Sequence, residues 1–149
     1  MLEAKTVGYG ASGRNGSFAM TVIGLGSGTT AMLRGKRFLR RAHAHLEQCV
    51  DRLGEFIDEA GLDCGKIRPG FLRVATTPAY VTRPQKQVRL MSSLGFAGIE
   101  WIDADATRKM VSSARYLGAM WEPRLVLTDP ARLVREEKRH AISLGRVRP

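Results

Sequence analysis

Gly8-Tyr9-Gly10-Ala11-Ser12-Gly13-Arg14-Asn15-Gly16-Ser17 is the stretch on which the reading of this chain turns. Four glycines among small residues, with one cation and one Asn, make a backbone able to come within hydrogen-bonding distance of a phosphate or a flat ring system. Just upstream, Met1-Leu2-Glu3-Ala4 reads as the last residues of a buried strand closing on an acid. Strand, acid and glycine-rich loop in that order suit a dinucleotide, whose ribose a carboxylate can hold and whose phosphates lie against backbone N–H groups.

Gly8, Gly10 and Gly13 also match GxGxxG, the dinucleotide fingerprint. The literal match fails on its surroundings. That fingerprint follows an apolar strand, whereas Leu2-Glu-Ala-Lys-Thr-Val7 carries a Glu and a Lys. The ribose acid should come about twenty residues beyond the fingerprint, and there the chain has Leu33-Arg-Gly-Lys-Arg37. The assignment that fits makes Leu2-Glu3 the end of the second strand of such a unit, with Glu3 accepting both ribose hydroxyls. Its first strand and fingerprint would then precede Met1, and the chain reads as cut from a larger protein.

Composition sets the outer limits. At 149 residues the chain has the length of one domain, and such a chain can bury about 68–70% of its unfolded surface. Hydrophobic residues at 44% and charged residues at 26% argue against wholesale disorder. No apolar run approaches the roughly 18 residues of a membrane span. The N-terminus lacks a basic segment leading into an apolar one, so the expected compartment is the cytoplasm. Cys49 and Cys64 show no CxxC spacing, which predicts reduced thiols rather than a redox pair. His43 and His45, two apart, would point to different sides of a helix, so no metal site is expected. The net charge of +10, from 24 Lys and Arg against 14 Asp and Glu, attracts phosphate in a nucleic acid or a nucleotide cofactor.

Helical and extended patterns alternate downstream, which places the chain in the mixed α and β class. Gly24 to Thr30 reads as a second flexible stretch. Leu39, Ala42, Leu46, Cys49, Val50, Leu53, Phe56, Ile57 and Ala60 then recur at three- and four-residue steps on one long amphipathic helix, with Gly61 at its left-handed stop. Phe71–Ala75 reads as a strand, followed by a helix starting near Pro84, carrying Val88, Met91 and Leu94, and ending at Gly95. Ile99–Ile102 alternates as a strand. Asp103 can cap a short helix to about Val111, and Asp129-Pro130 starts a last helix that stops at Gly145.

At this point the residues carry a resemblance. Leu2-Glu-Ala4 followed by Gly10-Ala-Ser-Gly-Arg-Asn-Gly16 is similar to the FAD-dependent oxidoreductases of the D-amino-acid oxidase type, in particular the gamma-glutamylputrescine oxidase-like branch. Leu62-Asp63-Cys64, the strand from Phe71 to Ala75, the helix closing on Leu94-Gly95 and the Asp129-Pro130 start fall in that family's order. The resemblance implies a partial FAD-binding Rossmann-like unit with part of the substrate-domain sheet. Residues 1–68 would be the FAD-binding segment with glycine loop and long helix, 69–128 part of the substrate domain, and 129–149 a helix leading back. It implies FAD as cofactor, bound through Glu3 at the ribose and through Ala11, Ser12, Gly13, Arg14, Asn15, Gly16 and Ser17 along the pyrophosphate and flavin. The family often has a second Gly where this chain has Ser17. It implies a small amine or amino acid as substrate, oxidised by hydride transfer to the flavin, with imine hydrolysis and reoxidation by oxygen to follow.

No residue here has the marks of a catalytic group; Trp101, Tyr116 and Trp121 could face substrate or pack in the core. Two other readings compete. Arg34-Gly-Lys-Arg-Phe-Leu-Arg-Arg41 holds five basic residues around Phe38, as a nucleic-acid-binding module would. No helix-turn-helix, zinc or RNA-binding signature accompanies it, so no specific nucleic acid is expected. An inactive remnant is the other alternative.

Overall fold

The computed structural model describes residues 6–146. Its contacts sort the chain into two units that interleave along the sequence. Glu3 and the strand ending assigned to Leu2-Glu3 lie outside the described residues.

The first unit takes residues up to Met20, then Gln48–Pro69, then the chain from Leu125 on. A 3-10 turn at Ala11–Gly13 leads to β1 (Phe18–Met20). That strand pairs antiparallel with β5 (Leu125–Leu127), in the register Phe18 to Leu127 and Met20 to Leu125. Ile67 adds an isolated bridge to Leu127. The core is Val50, Ile57, Leu62, Cys64 and Val126, with Leu53 and Leu133 against it. Val50, Leu53 and Ile57 belong to the expected stripe on the long helix α2 (Lys36–Glu59), since steps of three and four residues keep one face toward the core. Gly61, at φ +62°, ends it, with the Leu62 N–H donating to the Ile57 carbonyl at 3.0 Å, a bond only a left-handed residue permits here. The last helix, α5 (Pro130–Ser143), begins as expected: the Asp129 carboxylate accepts from the Arg132 N–H at 2.9 Å and Pro130 fills the first turn.

The second unit takes Thr21–Glu47 and Gly70–Arg124. Its sheet has the order β2 (Phe71–Val74), β4 (Ala119–Glu122), β3 (Glu100–Ile102), antiparallel throughout. Arg73 stands opposite Met120 and Phe71 opposite Glu122, so these four share one face. Leu39, Met91, Ile99 and Met120 form the core between that sheet, α2 and α3 (Ala79–Ser93). The glycines at the sheet's margins are packing devices: a Cβ at Gly70 would collide with the Trp121 ring, and one at Gly118 with Trp101. Trp101, Tyr116 and Trp121 are all half-buried, the two tryptophans against these glycines. A short helix, α4 (Ala104–Met110), is capped by the Asp103 carboxylate, which accepts from the Ala106 N–H at 2.8 Å.

Two sequence expectations are corrected. The stretch Gly24–Thr30 is not uniformly flexible: from Ser27 it forms α1 (Ser27–Arg34), which ends at Gly35 with φ +84° before α2 begins. Its Gly-Thr-Thr composition hides a helix that tertiary packing of Thr30 and Ala31 sustains. The helix placed near Pro84 starts at Ala79, because Pro78, at φ −55°, sits at the boundary and Pro84 is interior. Strands β1, β4 and β5 begin with three apolar residues in a row and so give no alternation signal.

Candidate functional site

In the first unit the glycine-rich stretch folds as a tight double turn. Tyr9 N–H donates to the Thr6 carbonyl (2.9 Å), Gly13 N–H to Gly10 (3.3 Å) and Arg14 N–H to Ala11 (3.2 Å). Asn15 locks the exit: its side-chain amide donates to the carbonyls of Ala11 (3.2 Å) and Ser12 (2.9 Å), while its Oδ1 accepts from the Ser17 N–H at 2.7 Å. One Asn satisfies three backbone groups of a loop that regular structure does not serve.

The glycines are where the fold needs them. A Cβ on Gly13 would collide with the Gly8 carbonyl, so the two limbs of the turn touch backbone to backbone. Gly8, at φ +84°, lies against Val134 of α5, where a Cβ would come within 2.9 Å of Cγ1. The turn is thereby pressed onto a helix of its own unit.

Sequence reasoning singled out eight residues. The structure brings Ala11 through Ser17 into this one turn, with Ala11, Ser12, Arg14, Asn15 and Gly16 exposed and Gly13 and Ser17 half-buried; Glu3 is outside the described residues. The Arg14 guanidinium lies 4.7 Å from the centroid of Tyr9, which holds an exposed cation in place over a ring. Ser17 has φ +63° in a region that side chains rarely adopt, and its buried Oγ has no hydrogen-bond partner. A small-residue cradle, a positioned cation and an orphaned hydroxyl fit an anionic nucleotide such as FAD.

The second unit contains a polar recess that no sequence motif announced. Thr21, His43 and Glu122 are 4%, 3% and 6% exposed, and Thr21 Oγ1, His43 Nε2 and Glu122 Oε1 lack hydrogen-bond partners. With Arg73 and Gln87 they line a cavity of about 20 Å³. Burial, aided by the Arg124 charge, pushes His43 down to about 4, against a hydrogen bond to the Thr21 backbone that acts the other way. The ring is therefore neutral at pH 7, and its 3.7 Å approach to Glu47 is not an ion pair. Glu47 instead meets the Arg124 guanidinium at 2.7 Å. Burial pushes Glu122 up to about 6, with Arg73 opposing. Only the intrusion of Arg73 into Phe71-Leu-Arg-Val74 and of Glu122 after Ala119-Met-Trp121 could have flagged these residues.

His43 and His45 separate as their spacing requires, one buried and one exposed. Cys49 is exposed and Cys64 buried, neither in a disulfide. The basic run from Arg34 to Arg41 is exposed except for Leu39, with Arg34 stacked 5.1 Å from the Phe38 centroid. Among the described residues no helix is long and apolar enough to cross a membrane.

A glycine turn with a fixed cation, on a mixed α/β frame, is a shape that the phosphates of a nucleotide cofactor can approach. The particular class follows from comparison: residues 1–148 match the family of FAD dependent oxidoreductases, and the chain belongs to that family. It is 30% identical over 120 residues to the gamma-glutamylputrescine oxidoreductase of Escherichia coli (strain K12), a match covering 80% of this chain and 28% of that protein. In fold it is similar to glycine oxidase from Geobacillus kaustophilus, with a TM-score of 0.64 at 17% identity over 92% of this chain and 35% of that one. Glycine oxidase from Bacillus cereus ATCC 14579 follows with a TM-score of 0.54 at 14% identity, covering 91% and 35%. The chain thus spans about a third of the length of the proteins it matches.

Proposed function

We propose that this chain supplies the glycine-turn portion of the FAD site in an oxidoreductase acting on a C–N bond of an amine or amino acid. Family membership and the substrates named in gamma-glutamylputrescine oxidoreductase and glycine oxidase support the chemistry. The single observation that carries the assignment to these residues is the turn in which Gly13 lies against the Gly8 carbonyl, leaving no room for a side chain.

In this reading residues 1–68 belong to the FAD-binding segment, although Thr21–Glu47 within it groups with the second unit, 69–128 to the substrate domain, and 129–149 return to the cofactor side. Glu3 takes the ribose hydroxyls. Ala11, Ser12, Gly13 and Gly16 let the cofactor approach the backbone, Arg14 neutralises pyrophosphate charge, Asn15 keeps the turn closed, and Ser17 Oγ finds in the cofactor the partner it lacks. Bound FAD would supply the two-electron acceptance that turns the C–N single bond into a hydrolysable imine. No residue of this chain is assigned a catalytic role, and the thiols of Cys49 and Cys64, neither in a disulfide, accord with a cytoplasmic setting.

The test is titration of FAD into the protein, followed by flavin fluorescence and by the melting temperature. Saturable quenching with an upward melting shift is expected. Arg14→Ala should weaken binding about tenfold, the worth of one charge-assisted hydrogen bond, and Gly13→Ala should abolish it with the melt of the free protein still cooperative. Unquenched flavin at high FAD, or binding indifferent to both substitutions, would overturn the reading.

A further inference from the structure

A second cavity, of about 670 Å³, opens in the second unit at the start of α1. Ser27, Gly28 and Thr29 form its floor, and Arg73, Arg83 and Lys86 stand around it, with no acid among its lining residues. The first-turn N–H groups of α1 have no intrahelical acceptors, and the preceding residue is Gly26, which offers no side-chain cap. Three cations and an uncapped helix start facing one hollow make a strong local field for an anion.

An independent observation points the same way. The recess containing Thr21 and His43 adjoins this cavity through Gly26, Ser27, Arg73 and Gln87, which line both. Thr21 Oγ1, His43 Nε2 and Glu122 Oε1, each on a side chain more than nine-tenths buried, line the recess rather than the larger cavity and remain without partners there. Buried polar atoms are rarely left unmatched, and the roughly 20 Å³ between them holds one water or one ligand oxygen. Met32 and Leu90 complete the outer cavity with apolar surface, Met32 being 77% exposed.

We propose that this cavity binds a phosphate monoester with an apolar body. The phosphate sits at the α1 N-terminus among Arg73, Arg83 and Lys86, and the body lies against Met32 and Leu90. The donors favour phosphate over carboxylate: a carboxylate has two oxygens to offer, whereas three cations and the free N–H groups of the first turn serve three terminal oxygens at once. Every residue lining this cavity belongs to the second unit, whereas the glycine turn belongs to the first.

Phenyl phosphate is the probe, titrated calorimetrically into the full chain. One-to-one saturable binding is expected, tighter than that of inorganic phosphate or phenylacetate. Arg83→Gln and Lys86→Gln, both at exposed positions, should each weaken it about fivefold or more, the scale of one charged contact. Arg89→Gln, on the same helix but outside the cavity lining, should leave it unchanged. Absence of saturable binding would overturn the proposal, as would equal weakening by Arg89→Gln. Phenylacetate binding as tightly as phenyl phosphate would reject the phosphate assignment, and inorganic phosphate binding as tightly would reject the apolar seat.

Discussion

The glycine turn of the first unit and the polar recess of the second solve opposite problems. The turn is built from ten consecutive residues and works with backbone: Asn15 bonds three main-chain groups, and Gly13 touches the Gly8 carbonyl. Most of it is exposed. The recess is built from side chains on separate segments, at Thr21, His43, Arg73, Gln87 and Glu122, and three of these are almost fully buried. A local device can be open to solvent because its bonds are made within itself. A device assembled across the fold relies on a packed frame, and it moves the proton affinities of the groups it encloses.

The largest test of this contrast is the frame itself. Met120→Ala removes a fully buried side chain beneath the sheet that carries Arg73 and Glu122. It should lower stability by about 2–5 kcal/mol in urea denaturation and erase the abnormal titration of His43. Ile57→Ala, in the core of the first unit, should destabilise by a similar amount, yet the glycine turn keeps its internal bonds. A normal His43 titration in the intact protein would break the comparison.

Next in size is the pH dependence. His43, held down to about 4, is neutral when folded, so its contribution is present above the unfolded value near 6.5 and is lost as pH falls toward 4. Glu122 runs the other way: held up to about 6, it favours the fold below 4.5 and its contribution is lost as pH rises through 6. Glu122→Gln should therefore stabilise the protein above pH 6 by about 2 kcal/mol and steepen its loss of stability between pH 6 and 4.5, where His43 is left unopposed. Denaturation at pH 4.5, 6 and 7.5 reads both effects.

Smaller again are the caps. Asp129→Ala in the first unit and Asp103→Ala in the second each delete one side-chain bond to a first-turn N–H. Each should cost about 1 kcal/mol. The smallest change is Ser17→Gly, which relieves a side chain at φ +63° and an orphaned hydroxyl. It should raise the stability of the free protein by up to about 1 kcal/mol. Its FAD affinity should fall, which separates a strained ligand contact from a mere turn residue.

What could be read in advance follows the same division. The long helix with Leu39, Val50, Leu53 and Ile57 on its buried side, the left-handed Gly61, and the caps at Asp103 and Asp129 were all legible, since each depends on neighbours within a few residues, whereas Cys49 and Phe56 of the expected stripe are exposed. So was the run Ala11–Ser17 as one turn, and with it the family. Pro84 misled because it is an interior residue of a helix that Pro78 introduces, and α1 stayed hidden because Gly28, Thr29 and Thr30 are poor helix formers. Ile99–Ile102 alternates apolar with polar residues and was legible, whereas Phe18–Met20 and Leu125–Leu127 are apolar throughout and show no such alternation.

By itself, the amino-acid sequence determined the mixed α/β class, the long helix and its stops, and a glycine turn whose residue types admit FAD, because periodicity, capping and small-residue bends are short-range. Only the tertiary structure decided that the chain divides into interleaved units, that Arg73 and Glu122 share a face with Met120, and that Thr21, His43 and the start of α1 line one recess. Those groups stand many residues apart along the chain. Burial, which shifts their titration and strands their hydrogen-bonding atoms, exists only once the sheet and helices have closed around them.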